Sequence, residues 1–298
     1  MNLDEYFMKN DYCSFLSCKR KPYLSAVYLT DEFHSGNYPR MVHNHPNHLE
    51  LLYAYKGEGE YIIGDERYVI KQGDLVIFNA GVLHGEDPFR YRTLCSYCCA
   101  LTSVYLRGFK PNHLIESDIW PIVHCGKFGD DIKCIMKIIY YLFTNSKSER
   151  DICSSFASSL LMLVYFIVQK NTNDKEVLKE KQCNTLVNRI KKYLDVNYNE
   201  EINLNNISKS MNINRYYLAH LFKKFTGYSP IQYVRYRRIG EAQSLLMNTK
   251  FSVTRIASHF SYYNPSHFDV IFKKYVGMTP SHYRDFFAYF AYSENKTV

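Results

Sequence analysis

A twelve-residue pattern that repeats at an offset of 50 constrains this 298-residue chain more than any other feature. Phe222-Lys223-Lys224-Phe225-Thr226-Gly227-Tyr228-Ser229-Pro230, with Tyr233, superposes on Phe272-Lys273-Lys274-Tyr275-Val276-Gly277-Met278-Thr279-Pro280, with Tyr283. Each position has a mechanical meaning. Gly227 and Gly277 supply the positive φ that ends a helix, Ser229 and Thr279 suit the cap of the next helix, and Pro230 and Pro280 fall in its first turn, where no amide hydrogen is missed. Upstream of each copy lie a short helical segment and a turn. These are Leu204–Met211 followed by Asn212-Ile213-Asn214, and Val253–Phe260 followed by Ser261-Tyr262-Tyr263. That is the layout of two helix-turn-helix units. In such a unit the second helix, here about Arg215–Phe225 and Pro265–Tyr275, enters the major groove with its N-terminal half against base edges. Lysines at its far end can meet phosphates.

Between the units, Tyr233, Val234, Ile239, Ala242, Leu245 and Leu246 recur at helical spacing, which predicts one helix over Pro230–Met247. Its span of about 27 Å can hold the two reading helices about one DNA turn, ~34 Å, apart. One subunit would then read two successive major-groove segments, which predicts a long asymmetric half-site. Charge supports the same region. Residues 181–298 carry 17 Lys and Arg against 7 Asp and Glu, whereas residues 1–180 carry 20 against 22. A basic third beside a near-neutral remainder is the footprint of a phosphate-binding module joined to something with another task.

The remainder reads differently. From about Lys21 to Thr102, short runs rich in Tyr, Val, Leu and Ile are broken by Gly, Asn and Asp. Candidate strands are Leu49–Tyr55, Glu60–Ile63, Glu66–Ile70 and Leu75–Phe78, with a tight turn at Gly64-Asp65. An antiparallel β-barrel or sandwich is the economical fold. The period then changes: Ile132, Ile135, Met136, Ile139 and Phe143 mark one amphipathic helix, and Phe156, Leu160, Leu163, Val164 and Ile167 mark a second. The stretch Phe156–Val168, interrupted by Ser158 and Ser159, falls short of the roughly 20 residues of a membrane helix, so no membrane association is expected. Nine cysteines, all at or before Cys183, read as reduced structural thiols, including Cys95, Cys98 and Cys99. The start Met-Asn-Leu-Asp-Glu has no signal-peptide character, and a cytoplasmic location is expected.

The predicted fold is therefore two-domain α+β. Residues 1–170 form an antiparallel β-barrel with a helical pair, the polar stretch 171–182 is a linker, and residues 183–290 form an all-α domain with two helix-turn-helix units.

The C-terminal pattern resembles the AraC-type (AraC/XylS) family of transcription regulators. The likeness runs through Ile256-Ala257, Ser266-x-Phe268, Phe272-Lys273-Lys274, Gly277-Met278-Thr279-Pro280 and Tyr283-Arg284. This resemblance implies binding to double-stranded promoter DNA through Arg215, Tyr216, Ala219 and His220 in the first reading helix, and through Ser266, His267, Asp269 and Val270 in the second. Lys223, Lys224, Lys273 and Lys274 are the phosphate candidates. Leu218, Phe222, Phe268 and Phe272 are assigned to the core by their helical spacing. Two positions depart from the family: Ser261-Tyr262 stands at the turn usually filled by Gly-Phe, and Val270 where Arg is frequent. Weak base reading by the second unit is expected from them.

The other chemically loaded stretch is His43-x-His45, four residues, Glu50, six residues, Gly57, and later Gly73, seven residues, Gly81, two residues, His84. Its spacing is similar to that of a cupin barrel, with Asn79 in place of the usual Pro and Pro88 where Asn is frequent. Three imidazoles and a carboxylate could make a divalent transition-metal site, since His-x-His on a strand points both rings to one face. Regulators of the resembled type often keep such histidines in a sensing barrel without metal. His43, His45, Glu50 and His84 are accordingly assigned to a small-molecule effector, with Tyr53, Tyr61 and Tyr68 as weaker wall candidates; no metal, cofactor or catalytic residue is assigned. The resemblance further implies a ligand-responsive activator of metabolic, sugar-type genes, a homodimer through the helices of residues 130–170, and RNA polymerase as a partner. The contrasting reading is a cupin metalloenzyme fused to a DNA-binding domain.

Overall fold

The computed structural model describes residues 22–33, 38–64, 66–87, 93–116, 119–145, 150–172 and 185–293. Seven antiparallel strands make up the N-terminal part: β1 (Tyr23–Thr30), β2 (Leu49–Ile63), β3 (Glu66–Lys71), β4 (Asp74–Phe78), β5 (His84–Glu86), β6 (Leu94–Thr102) and β7 (Ile122–His124). The path runs β1-β6-β2-β4-β7, and β3 and β5 also pair with β2.

β2 organises this sheet, and it differs from the expectation of two separate strands. It is continuous over 15 residues: its first half pairs with β4 and β6, and its second half pairs with β3 and β5. The glycines read as a break absorb a bend instead. The register against β6 shifts between Ala54 and Lys56, and Gly57 has a φ of +79°. A Cβ at Gly57 would lie 1.8 Å from the Thr93 carbonyl oxygen, so only glycine fits. The bent strand thus belongs to both layers, which closes the sheet. The turn after it is flanked by the pair Ile63–Glu66, with Gly64 at φ +59°; Asp65 lies outside the described residues.

Two-residue alternation decides which side chains face where. Leu49, Leu51 and Tyr53 of β2 pack with Leu75, Ile77, Cys99 and Leu101 beneath the helices α1 (Gly129–Asn145) and α2 (Arg150–Thr172). Leu52 and Ala54 face the other way and pack with Tyr61, Ile63, Ile70, Val76, Phe78 and Cys98. Glu50 shares this second face. The cysteine run is split by the same rule, and burial pushes the Cys99 thiol up to about 12. Such buried thiols are unreactive; Cys134, by contrast, is exposed, and Cys13, Cys18 and Cys183 lie outside the described residues.

The helix α2 corrects one expectation. Asp151–Lys170 is long and apolar enough to cross a membrane by length and composition. The serines counted as interruptions do not break the stretch, because Ser155, Ser158 and Ser159 donate to the carbonyls four residues back, at 2.9, 2.8 and 3.1 Å. Cys153, Ala157, Leu160, Leu161, Val164, Ile167 and Val168 are nonetheless buried against the sheet and α1, so one face of α2 is spent on the core.

Seven helices follow: α3 (Thr185–Asn197), α4 (Leu204–Met211), α5 (Arg215–Thr226), α6 (Pro230–Asn248), α7 (Val253–His259), α8 (Pro265–Val276) and α9 (Pro280–Ser293). The caps match the sequence logic. Gly227 and Gly277 close α5 and α8 with φ of +82° and +86°, and Ser229 opens α6 in a capping box with Gln232. Leu218, Phe222, Phe268 and Phe272 are fully buried. One finding had no sequence signal: Met41, Val42 and Ile62 of the N-terminal part belong to the same apolar cluster as these helices.

Candidate DNA-reading face and histidine cluster

The two reading helices, α5 and α8, are held at their start by asparagine caps. Asn214 accepts from the Tyr216 amide, and Asn264 from the amides of Ser266 and His267. Leu218 and Phe222 then lock α5 inward, and Phe268 and Phe272 lock α8. What remains on the outside is Arg215, Tyr216, His220, Lys223 and Lys224 on α5, and Ser266, His267, Val270, Lys273 and Lys274 on α8, all exposed. Ala219 and Asp269, assigned to the same face, are only half-exposed. Asp269 Oδ1 is buried and has no hydrogen-bond partner among the described residues. The Arg215 guanidinium lies 4.7 Å from the Tyr216 ring centroid and donates to the Tyr216 hydroxyl at 2.7 Å, so two reading candidates are coupled before any DNA arrives. Spacing alone did not reveal two further aromatics: Tyr217 is 53% exposed and Tyr263 88% exposed. Tyr263 lies in the turn just ahead of the Asn264 cap, a place where an exposed ring has no packing role.

In the barrel, the four sequence-assigned residues come together. Glu50 points inward because of its β2 register, and it receives His45 Nε2 at 3.1 Å and His84 Nε2 at 3.2 Å on its two oxygens. The rings of His43 and His84 are 4.5 Å apart, and one ligand atom from each of His43, His45 and His84 lies within 4.8 Å of the others. Backbone groups orient the rings from behind: His43 Nδ1 is 2.7 Å from the Met41 carbonyl, and His84 Nδ1 is 2.9 Å from that of Val82. Phe78 stacks on His84 at 4.1 Å.

Burial sets the charge states. It holds the His43 ring well below the usual imidazole range and brings His45 down to about 4 despite the attraction of Glu50. For Glu50, burial acts upward, but the hydrogen bond and charge of His84, then the charges of His45 and Arg40, outweigh it and hold the carboxyl at about 2. The cluster therefore presents a fixed carboxylate beside the neutral rings of His43 and His45, a set that accepts and donates hydrogen bonds to a polar ligand. The three imidazoles also suit a divalent transition metal, and two of them, His45 and His84, would turn to it the Nε2 atoms that now meet Glu50. Tyr53 and Tyr61 are buried and Tyr68 half-buried; Tyr61 and Tyr68 are packed on the cluster's face of the sheet, Tyr53 on the other.

Sequence comparison agrees with both halves. Residues 207–285 match the helix-turn-helix domain family, and residues 32–86 match the cupin domain family. An HTH-type transcriptional regulator of Escherichia coli K12, YdiP, is 31% identical over 278 residues, covering 89% of this chain and 86% of its own. The chain belongs to the AraC-type family of transcription regulators. This regulator is also 26% identical to the lactose operon transcription activator of Staphylococcus xylosus, over 78% of this chain and 82% of that one. Among solved structures, the C-terminal domain of AraT from Geobacillus stearothermophilus is 25% identical, covering 36% of this chain and 88% of that one, with a TM-score of 0.34.

The departures of this regulator from its family pattern can now be separated. Ser261 adopts the left-handed φ of +58° that explains the usual glycine, and its hydroxyl donates to the Asn199 carbonyl at 2.7 Å. Tyr262 fills the Phe position, buried against Phe268 at 5.2 Å. The turn is preserved, so any weakness of the second unit rests on Val270, 66% exposed and without a hydrogen-bonding group. Asn79, in place of Pro, ties down the next segment by donating to the Ile115 carbonyl at 2.7 Å and accepting from the Leu114 amide at 2.9 Å. Pro88 lies outside the described residues.

Proposed function

We propose that this transcription regulator is a small-molecule-responsive activator of sugar-type metabolic genes. The carrying observation is the Glu50–His45–His84–His43 cluster, buried in the barrel yet followed along the chain by a direct contact with the DNA-binding helices. In this reading His43, His45, Glu50 and His84 bind the effector. Arg215, Tyr216, Ala219, His220, Ser266, His267, Asp269 and Val270 face bases, and Lys223, Lys224, Lys273 and Lys274 meet phosphates. A polar, hydroxyl-rich ligand suits a carboxylate flanked by imidazoles, and the lactose operon activator among its relatives supports a sugar.

The domain roles follow the predicted boundaries, 1–170 for sensing and 183–290 for DNA, in a cytoplasmic protein whose output is contact with RNA polymerase. Exposed apolar side chains on α1 and α2, namely Tyr141, Ile152 and Phe166, support a homodimer seam there. Phe166→Glu should shift the sedimentation of the full chain toward monomer, and an unchanged dimer would remove that seam.

Melting temperature tests the effector reading. The full chain is screened against sugars and polyols beside Glu50→Ala. A true effector at a hundredfold excess over its Kd adds about 2.7 kcal/mol and does nothing for the variant. A response that survives Glu50→Ala would remove the site. The convergence of three imidazoles within 4.8 Å favours one second reading, a cupin metalloenzyme. Stoichiometric iron, manganese or zinc in the purified protein, lost in His43→Ala, would establish it; protein that selects DNA without metal would dismiss it.

A further inference from the structure

The duplication sets unlike side chains at the centres of the two reading faces. At the offset of 50, Tyr216, Tyr217 and His220 of α5 superpose on Ser266, His267 and Val270 of α8. Spacings of three, four and seven residues put Ser266, His267, Val270 and Lys273 on one side of α8, opposite the fully buried rings of Phe268 and Phe272. Val270 is 66% exposed in the second turn of the helix. Its counterpart His220, equally outside, can donate and accept hydrogen bonds. Valine can do neither. It is also a poorer helix former than alanine, and a side chain standing in water recovers nothing of that by packing.

The chemistry of the major groove leaves such a side chain one partner. Guanine presents N7 and O6, adenine N7 and N6, and cytosine N4. Each of these needs a hydrogen bond, and covering one with valine leaves it dry and unpaired, which costs binding. Thymine alone presents an apolar group, its C5 methyl. The branched Cβ adds a second fitness for the task. Inside a helix it holds Val270 in one strongly preferred rotamer, so the two methyl groups are aimed before DNA arrives and little side-chain freedom is lost on contact.

We propose that Val270 recognises a thymine in the operator through its C5 methyl group. Such a contact rests on the proposal above that α8 faces bases, and it names the base. The two units then select DNA by different chemistry, His220 by hydrogen bonds and Val270 by apolar contact alone. Discrimination by the second is modest in kind: one buried methyl group is worth ~0.8 kcal/mol, or about fourfold in Kd. A T·A pair therefore lies opposite the second turn of α8, and its replacement weakens binding without abolishing it.

The experiment uses the full chain and duplexes that it selects from a random pool. The selected consensus is resynthesised with uracil in place of each thymine in turn, which removes the methyl group and keeps every hydrogen-bonding atom. Kd is measured for wild type and for Val270→Ala, an exposed change to a better helix former that leaves the core untouched. At one thymine, uracil should weaken wild type about fourfold and leave Val270→Ala unaffected, and on the thymine duplex Val270→Ala should itself bind about fourfold more weakly. A second selection, with Val270→Gln, separates the thymine contact from base reading in general. Glutamine pairs with adenine, so a helix that faces bases must move the consensus at one position, whatever Val270 itself recognises. A moved position with no uracil penalty in wild type, or with a penalty that Val270→Ala keeps in full, would overturn the thymine contact and leave base reading by α8 standing. An unmoved consensus with no uracil penalty would remove both.

Discussion

Lowering the pH from 7 to 4.5 should remove the stability that rests on a neutral His45, while Glu86 of β5, its carboxyl pushed up to about 7 by burial, takes up a proton in the folded chain over the same interval and works in the opposite direction. His45 has an ordinary value of 6.5 and is brought to about 4 in the folded chain, mainly by burial. A base held down on folding stays neutral in the native state while the unfolded chain takes up a proton. Stability is therefore complete above pH 6.5 and falls as pH drops toward 4. For His45 alone the loss at pH 4.5 is about 2 kcal/mol, and His43, also lowered by burial, adds to it. Glu50 does not contribute in this window: it is held at about 2, so its stabilisation is lost only as pH falls from its ordinary 4.5 through that value. The single tryptophan supplies the assay, because Trp120 packs edge-on to Tyr68 of β3 at 4.7 Å and reports barrel unfolding. Urea midpoints of Trp120 fluorescence would be measured at both pH values for wild type and His45→Asn. The variant should lose about 2 kcal/mol less than wild type over the interval. Equal changes in wild type and variant would refute the assignment of a neutral His45 ring; the Glu86 contribution is common to both and cancels in the comparison.

Lys223→Ala and Lys273→Ala should each weaken binding similarly across DNA sequences and lower the salt slope by about 0.9; unchanged slopes would remove the phosphate assignments. For His220→Ala, base preference should change at one operator position at a cost of about 1–3 kcal/mol, and a uniform loss across all operators would count against base reading. Asp87→Ala strips the partner from Arg67 and Tyr228. It should cost about 2 kcal/mol in urea unfolding, below the full value for a buried pair because Arg67 is 35% exposed. A loss within about 0.5 kcal/mol, the usual range of surface substitutions, would show the pairing of Asp87 with Arg67 and Tyr228 to be idle.

Local rules carried the C-terminal half. Helix starts, stops and caps depend on residues within one turn of each other, so Gly227, Ser229, Pro230 and their counterparts located α5, α6, α8 and α9 from sequence alone. Helical period likewise separated Phe222 and Phe272 from Lys223 and Lys273. Spacing also named His43, His45, Glu50 and His84 together. It did not show that β2 would bend at Gly57 rather than end there, since the bend depends on Thr93, just ahead of β6 and 36 residues away. Nor did it show that Ala219 and Asp269 are half-exposed, a matter of neighbouring helices rather than of period. The contact of Met41 and Val42 with α6 was invisible for the same reason: Gln243 and Gly240 read as ordinary residues of an amphipathic helix, and these partners lie about 200 residues earlier. What the chain determines by itself is the set of elements and their caps, because those are short-range. Which faces meet, and hence how the barrel holds the DNA-binding helices, was decided only by tertiary packing.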